Sequence, residues 1–556
     1  MKKQVRAFVG CVVLLFLVAT PGQSLWSQDS SNDSRPVLVV SVASVERLIG
    51  DIEYVTRVSG WPAVGGFIRL ITAPYVQDVD PTSPAGWLAA LKDNKPSGVV
   101  FLGAANFPGI LAKIEEQLVK PQDIGGGLLK LSLQQDYFLK QEGKWVYVAD
   151  QVAHLGGVPA DPSQFLGGLD KRYTLAARVD VGRIPRELRD GFLNQLRTGA
   201  ERQLARDMAD KPAAEQEQAR QIAQQGLALL AALVADTDQV TVGWGTDSAG
   251  GKTFLDVSLT AREGTKLAEH MRNAAATPAR FAGLAAGDNV VSLAYDLTIP
   301  PRVLALSLPA AAQARERLLK QIESSARIPG EEAKAALQEA VSTLGEVFVA
   351  SLARGELHGG LVCKTTATSL QVAAGAAVVD GARLEPALRK LADGLGNQAG
   401  LPHVSFDVQS YQGTEFHRLR WTLPESRVIA RQLLGPELEL VIGTAPDHIG
   451  LALGTDAVEL LTQVVDAAQA SPASAGSPLS VSMAVRPLLA LAQRLDSNPT
   501  VTAMSKAVSN SPGGDQLTLT ARSLERGVVY RLEVQEGALC LIGELVKLRG
   551  TTGGEP

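Results

Sequence analysis

The chain has 556 residues, 46% hydrophobic and 20% charged, a balance that excludes a disordered polymer and a length that exceeds one ordinary domain. Its formal charge of −5 argues against a nucleic-acid partner, which requires a basic surface. Only 5% of residues are aromatic, too few for the stacking platforms that hold single-stranded nucleic acid.

Lys2, Lys3 and Arg6 precede an apolar run from Ala7 to Thr20, and Gly22-Gln23-Ser24 is a small-x-small cleavage site. This pattern predicts a signal peptide over residues 1–24 and export to the periplasm or beyond. Removing it moves the formal charge from −5 to −8, since it holds three basic residues and no acid. No later apolar run reaches the length of a bilayer span, so the mature chain is expected not to be transmembrane. Residues 25–36 are a polar leader expected to be disordered.

Order is expected from Val37, with a strand to Val42 and then a helix carrying Val45, Leu48, Ile49, Ile52 and Val55 at spacings of three and four. Trp61 to Ala73 continues as a second helix, Val99 to Gly103 as a strand and Pro108 to Val119 as a helix. A hairpin is expected around Glu142-Gly143. The next cycle is the clearest. Leu175, Ala177, Val179 and Val181 alternate with Arg178 and Asp180, Pro185 opens a helical stretch broken near Lys211-Pro212, and Val240 to Trp244 pairs with Leu255 to Ala261 before a closing helix.

After Ala274 to Gly287 the cycle restarts: a strand at Leu293 to Leu297, helices opened by Pro300-Pro301 and by Glu331, two strands, and a helix from Leu384. A hairpin about Gln412-Gly413, further strands at Leu438 to Ile442 and Ile449 to Leu453, and a helix from Asp456 to Ala468 follow. The low-complexity segment Gln469 to Pro478 precedes a last cycle beginning at Val481, and residues 549–556 form a tail expected to be disordered.

One phrase recurs at a strand-to-helix junction: Glu263-Gly264-Thr265, Asp380-Gly381-Ala382 and Glu536-Gly537-Ala538. With the proline-opened helices it predicts an α+β fold made by tandem duplication of antiparallel-sheet plus helix units, halves at 37–273 and 289–548 joined by a linker at 274–288.

Chemistry-bearing stretches are few. Gly245 to Thr253 ends in Gly-Lys-Thr, as a phosphate loop does, but Thr246 stands where that motif needs glycine and Thr253 onward alternates as a strand. A phosphate loop must open a helix, so a hairpin turn is expected. The same objection meets a nucleophile elbow at Ser248. His154, His270, His358, His403, His417 and His448 show no paired metal-ligand spacing. With Gln412-Gly413 as the turn, Asp407 falls opposite Arg418 and His417 opposite Val408. Asp78 with Asp80 and Asp236 with Asp238 lack the punctuation of a calcium loop and are expected as loop acids. The Leu227, Leu230, Leu233 and Val234 face suits either core packing or a lipid tunnel, and Cys363 and Cys540 are expected as separate thiols.

In layout the chain resembles the uncharacterised large secreted proteins of environmental bacteria, and its hairpin-plus-helix modules are similar to periplasmic lipoprotein-carrier folds, in which a curved antiparallel sheet wraps a helix. That resemblance covers no motif and carries over no functional residue. No residue of the sequence is assigned as catalytic, cofactor-binding or metal-binding, and no cofactor is expected. The chain is expected to be a non-catalytic scaffold or binding protein of the cell envelope, with an envelope protein or an apolar ligand as partner. A carrier of an apolar ligand or lipid comes second, and a hydrolase without a short motif third.

Overall fold

The computed structural model describes residues 35–92, 95–277, 280–285, 289–325, 328, 330–366, 369–395, 403–469, 477–495 and 498–552. The expected signal peptide, nearly all of the leader, most of the low-complexity segment and the end of the tail lie outside them. The chain forms two compact units that divide between Thr265 and Lys266, and both are α+β with antiparallel sheets.

The first unit is built outward from β1 (Leu38–Val42), flanked by β2 (Ala85–Lys92) and β8 (Leu175–Val179) with Val40 opposite both Trp87 and Ala177. Beyond β2 follow β3 (Lys95–Gly103), β7 (Trp145–Ala149), β6 (Asp136–Glu142), β5 (Leu128–Ser132) and β4 (Gln122–Gly125). Beyond β8 lie β9 (Thr237–Asp247) and β10 (Lys252–Ala261). The helical hairpin α1 (Val45–Val58) and α2 (Pro62–Val76) joins β1 to β2, α3 (Phe107–Gln117) joins β3 to β4, α4 (Leu169–Arg172) precedes β8, and the long hairpin α5 (Arg186–Asp207) and α6 (Ala213–Asp236) joins β8 to β9.

Local signals start these helices. The Ser44 hydroxyl accepts from Arg47 N at 3.1 Å, capping α1, and Pro62 sits in the first turn of α2, where a missing N–H costs nothing. Pro185 and Pro212, in extended conformation, stand before α5 and α6. Alternation along the strands then separates two sheet faces. One face packs Val39, Leu88, Phe101, Tyr147 and Ala176 against Leu155, Leu166, Leu169 and Tyr173 of the segment ahead of β8.

The second unit opens with α7 (Lys266–Ala275) and has β11 (Val291–Thr298) at its centre, flanked by β12 (Glu356–Thr365) and β18 (Leu479–Ala484). Beyond β12 follow β13 (Leu370–Ala377), β17 (His448–Leu453), β16 (Glu437–Thr444), β15 (Thr414–Thr422) and β14 (His403–Tyr411); beyond β18 lie β19 (Gln516–Leu524) and β20 (Gly527–Gln535). The hairpin α8 (Pro301–Ser324) and α9 (Glu331–Ala353) joins β11 to β12, α10 (Leu384–Leu395) joins β13 to β14, α11 (Val428–Leu434) joins β15 to β16, and α12 (Ala457–Gln469) precedes β18. The hairpin α13 (Val485–Leu495) and α14 (Pro499–Ser509) joins β18 to β19, and α15 (Glu536–Thr552) follows β20.

The core of this unit is α12 laid on β13, β16 and β17, with Leu460, Leu461, Val464 and Val465 buried against Val362, Ala373, Phe416, Val441 and Ala452. A row of glycines makes the approach possible. Gly360, Gly375, Gly450 and Gly443 are cross-strand neighbours in β12, β13, β17 and β16, and a Cβ on Gly450 would stand 2.5 Å from the Leu461 side chain. Phe281 and Leu284, within the stretch expected as a linker, are buried in the same core.

Candidate functional site

The face of each sheet opposite its core is apolar and only partly covered. In the first unit a transverse row of directly opposed residues runs Val257, Val242, Ala177, Val40, Trp87, Val100, Val148, Leu139 and Leu129, from β10 to β5. In the second the row runs Leu532, Leu519, Val481, Leu293, Leu361, Ala374, Leu451, Ile442 and then His417, from β20 to β15. Apolar side chains in a closed core approach zero exposure, yet on these faces Leu175, Val242, Leu255 and Val257 are 39–41% exposed, and Leu451, Leu532 and Tyr530 are 38–43%. Helix α9 covers part of the second face, with Val347 packed near Ala376 and Ile449, but α5 and α8 bury no residue. Such a surface can take up an apolar body without breaking any hydrogen bond.

The second row ends in a polar cluster. His417 is 0% exposed. Its Nε2 lies 3.1 Å from Thr444 Oγ1, and its Nδ1 faces the Asp407 amide at 3.5 Å and Asp407 Oδ1 at 3.6 Å. Glu385, in the first turn of α10, and Arg389, one turn on, reach the same place: Arg389 donates to Glu385 Oε1 at 2.8 Å and to Asp407 Oδ2 at 2.5 Å, and its guanidinium lies 4.4 Å from the centre of the Phe406 ring. Ligand atoms of Glu385, Asp407 and His417 all lie within 4.8 Å of one another. Burial pushes the His417 pKa down, against the pull of Glu385 and Asp407.

Asp407 reaches the cluster through a backbone irregularity. The turn at Gln412-Gly413 and the pairs Tyr411 with Thr414 and Gln409 with Phe416 follow the expected register, but a bulge then intervenes and Ser405, not Asp407, stands opposite Arg418. Asp407 has φ +52°, in the left-handed region that aspartate tolerates better than most residues.

Other histidines serve the interior. Thr414 Oγ1, His448 and Asp447 form a hydroxyl–imidazole–carboxylate chain at 2.9 and 2.8 Å, but Thr414 is 0% exposed and offers a substrate no approach. His358 Nδ1 bonds Asp296 Oδ1 at 2.9 Å across β12 and β11, both side chains buried. Gly245 to Thr253 is the end of β9, a turn and the start of β10. There Thr253 Oγ1 accepts from Trp244 Nε1 at 2.9 Å and donates to Gly245 O at 3.0 Å. Asp80 accepts from the Thr82 amide and hydroxyl and the Ser83 hydroxyl, which hold its pKa down to about 2, while Asp78 pairs with Lys113 at 2.9 Å. The Asp236 carbonyl accepts from Arg262 N at 2.7 Å, and Asp238 abuts Gly182. Cys363 and Cys540, in β12 and α15, are not joined by a disulfide.

Linear spacing could not reveal the cluster, because its members come from a helix and two strands. The only local signal was Glu385 four residues before Arg389. No helix among the described residues is long and apolar enough to cross a membrane. No family model, no curated protein and no solved structure matches the chain.

Proposed function

We propose that this is an exported, non-catalytic protein that carries an apolar ligand on the partly covered sheet face of each unit. The observation that carries the reading is the set of apolar residues on these sheet faces left about 40% exposed. A scaffold working through a polar surface has no use for an exposed apolar sheet face, whereas a carrier of an apolar ligand needs one. Binding would bury this area at roughly 25 cal/mol per Å² before ordering costs.

The chain is a tandem duplication in this reading. Both units place ten strands in the same order about a central strand, with a helical hairpin after that strand and another seven strands later. Gly264 and Gly381 each stand between a strand and the helix that follows it, and Gly537 is the second residue of α15, directly after β20. The units that divide between Thr265 and Lys266 then each supply one binding face, and α11 is an addition of the second. Export rests on the basic-then-apolar N-terminus alone, and the mature chain should begin near Leu25 or Gln28.

Native mass spectrometry of protein taken from its own cell envelope tests the reading. Co-purifying lipid or another apolar small molecule, up to two per chain, is the expected result. A ligand-free chain held in a stable complex with another protein would replace the carrier with the scaffold.

A further inference from the structure

We propose that Glu385, Asp407 and His417 form a site for one divalent transition-metal ion, Zn²⁺ being the ion that suits the donors best. One imidazole nitrogen and two carboxylates from separate elements, with ligand atoms within 4.8 Å of one another, are a borderline donor set that favours Zn²⁺ over Mg²⁺ or Ca²⁺.

The buried imidazole is the strongest of the supporting observations. Thr444 Oγ1 lies 3.1 Å from Nε2; with the ring proton donated there, Nδ1 keeps its lone pair, the arrangement by which a second partner fixes the tautomer of a ligating histidine. Nδ1 points at the carboxylates, and its nearest donor, the Asp407 amide, is 3.5 Å away, beyond the usual hydrogen-bond range. A neutral imidazole held against a carboxylate oxygen at 3.6 Å gains from a cation between the two.

The charges agree. Glu385, Asp407 and Glu415 all act on His417, and Arg389 is the cation set against them. Around a Zn²⁺ with bonds of about 2.0–2.1 Å, tetrahedral ligands stand roughly 3.4 Å apart, so Asp407 Oδ1, 3.6 Å from Nδ1, is nearly in place, and a pair at the full 4.8 Å would have to close by about 1.4 Å. Glu385 and Asp407 have room for this, with side chains 28% and 52% exposed, while His417 stays fixed. Arg389 holds the same two carboxylates, Glu385 through Oε1 and Asp407 through Oδ2, and therefore competes with the ion.

That competition gives the test. Full-length chain, stripped with chelator, is titrated with ZnCl₂ by calorimetry and with Co²⁺ by visible absorption. One ion per chain is expected, weakened about tenfold or more in Asp407→Asn and strengthened in Arg389→Gln. The Co²⁺ spectrum should change in His417→Gln. Asp407 lies at the surface, so its variant keeps the test valid even where the His417 variant does not fold. No binding by the wild-type chain overturns the proposal. So does binding that Asp407→Asn and Glu385→Gln leave unchanged, which would mark an adventitious ion elsewhere, or binding that Arg389→Gln weakens, which would make the arginine part of a structural network only.

Discussion

The Val464 Cγ1 methyl occupies the space beside Gly375 where a side chain would begin, 2.4 Å from the position of an ideal Cβ. Helix α12 can lie on β13 and β17 only because the strands present glycine there. Gly375→Ala should therefore destabilise the second unit by about 1–3 kcal/mol, the range for overpacking a filled core, read as a lower midpoint in urea. Val464→Ala in the same chain should recover part of the loss, since the two changes share one contact. An additive double variant would sink the account.

His417 makes stability depend on pH. Burial lowers its folded pKa below the unfolded value, which is about 6.5. The folded state then binds fewer protons than the unfolded state between the two values. The contribution is fully present above about pH 6.5 and is lost as pH falls through that window, with a slope of up to about 1.4 kcal/mol per pH unit. His270 is lowered by burial as well, so the comparison must be between wild type and His417→Gln in chelator. The variant should show the shallower slope. Equal slopes would mean that His417 titrates alike in both states.

Much of the architecture could be read in advance, since period-two strands and proline-opened helices are local signals. Pro300-Pro301 stands at the start of α8 as expected, but alternation misassigned the faces of β8: Ala176 and the largely buried Arg178 are on the core side, while Leu175, on the face expected to be covered, is 41% exposed. Other elements carried no such mark. Strand β2, Ala85–Lys92, is Ala-rich and gains its conformation from β1 and β3, a tertiary effect on a weak local preference. The Asp407 bulge was invisible for a different reason: Val404, Phe406 and Val408 alternate cleanly, and nothing local says that the pairing skips. The apolar pattern did not give the exposure of the sheet faces, which depends on where the helices come to rest.

The turn between β9 and β10 yields a prediction of two parts. Trp244 Nε1 and the Gly245 carbonyl both meet the Thr253 hydroxyl, which is buried. Thr253→Val should cost about 1–3 kcal/mol, because the indole N–H loses its acceptor. Nucleotide with Mg²⁺ should leave Tm unchanged in wild type and in Lys252→Ala alike, a turn between strands having no helix N-terminus to hold phosphate. A nucleotide-dependent rise in Tm that Lys252→Ala removes would refute this.

The partly covered sheet faces set the last expectation. Val242 and Leu532 belong to the two apolar rows and are 41% and 38% exposed. An aspartate at either place can keep its carboxylate hydrated, so the fold should lose no more than about 1 kcal/mol, in keeping with substitutions outside closed cores. An apolar ligand seated on the row would have to bury that charge, at several times the cost. Val242→Asp should then halve the amount of co-purifying ligand, Leu532→Asp should do the same, and the double variant should carry almost none, as read by native mass spectrometry with circular dichroism as the check on folding. Full loading of a folded double variant would show that the exposed rows are not where the ligand sits.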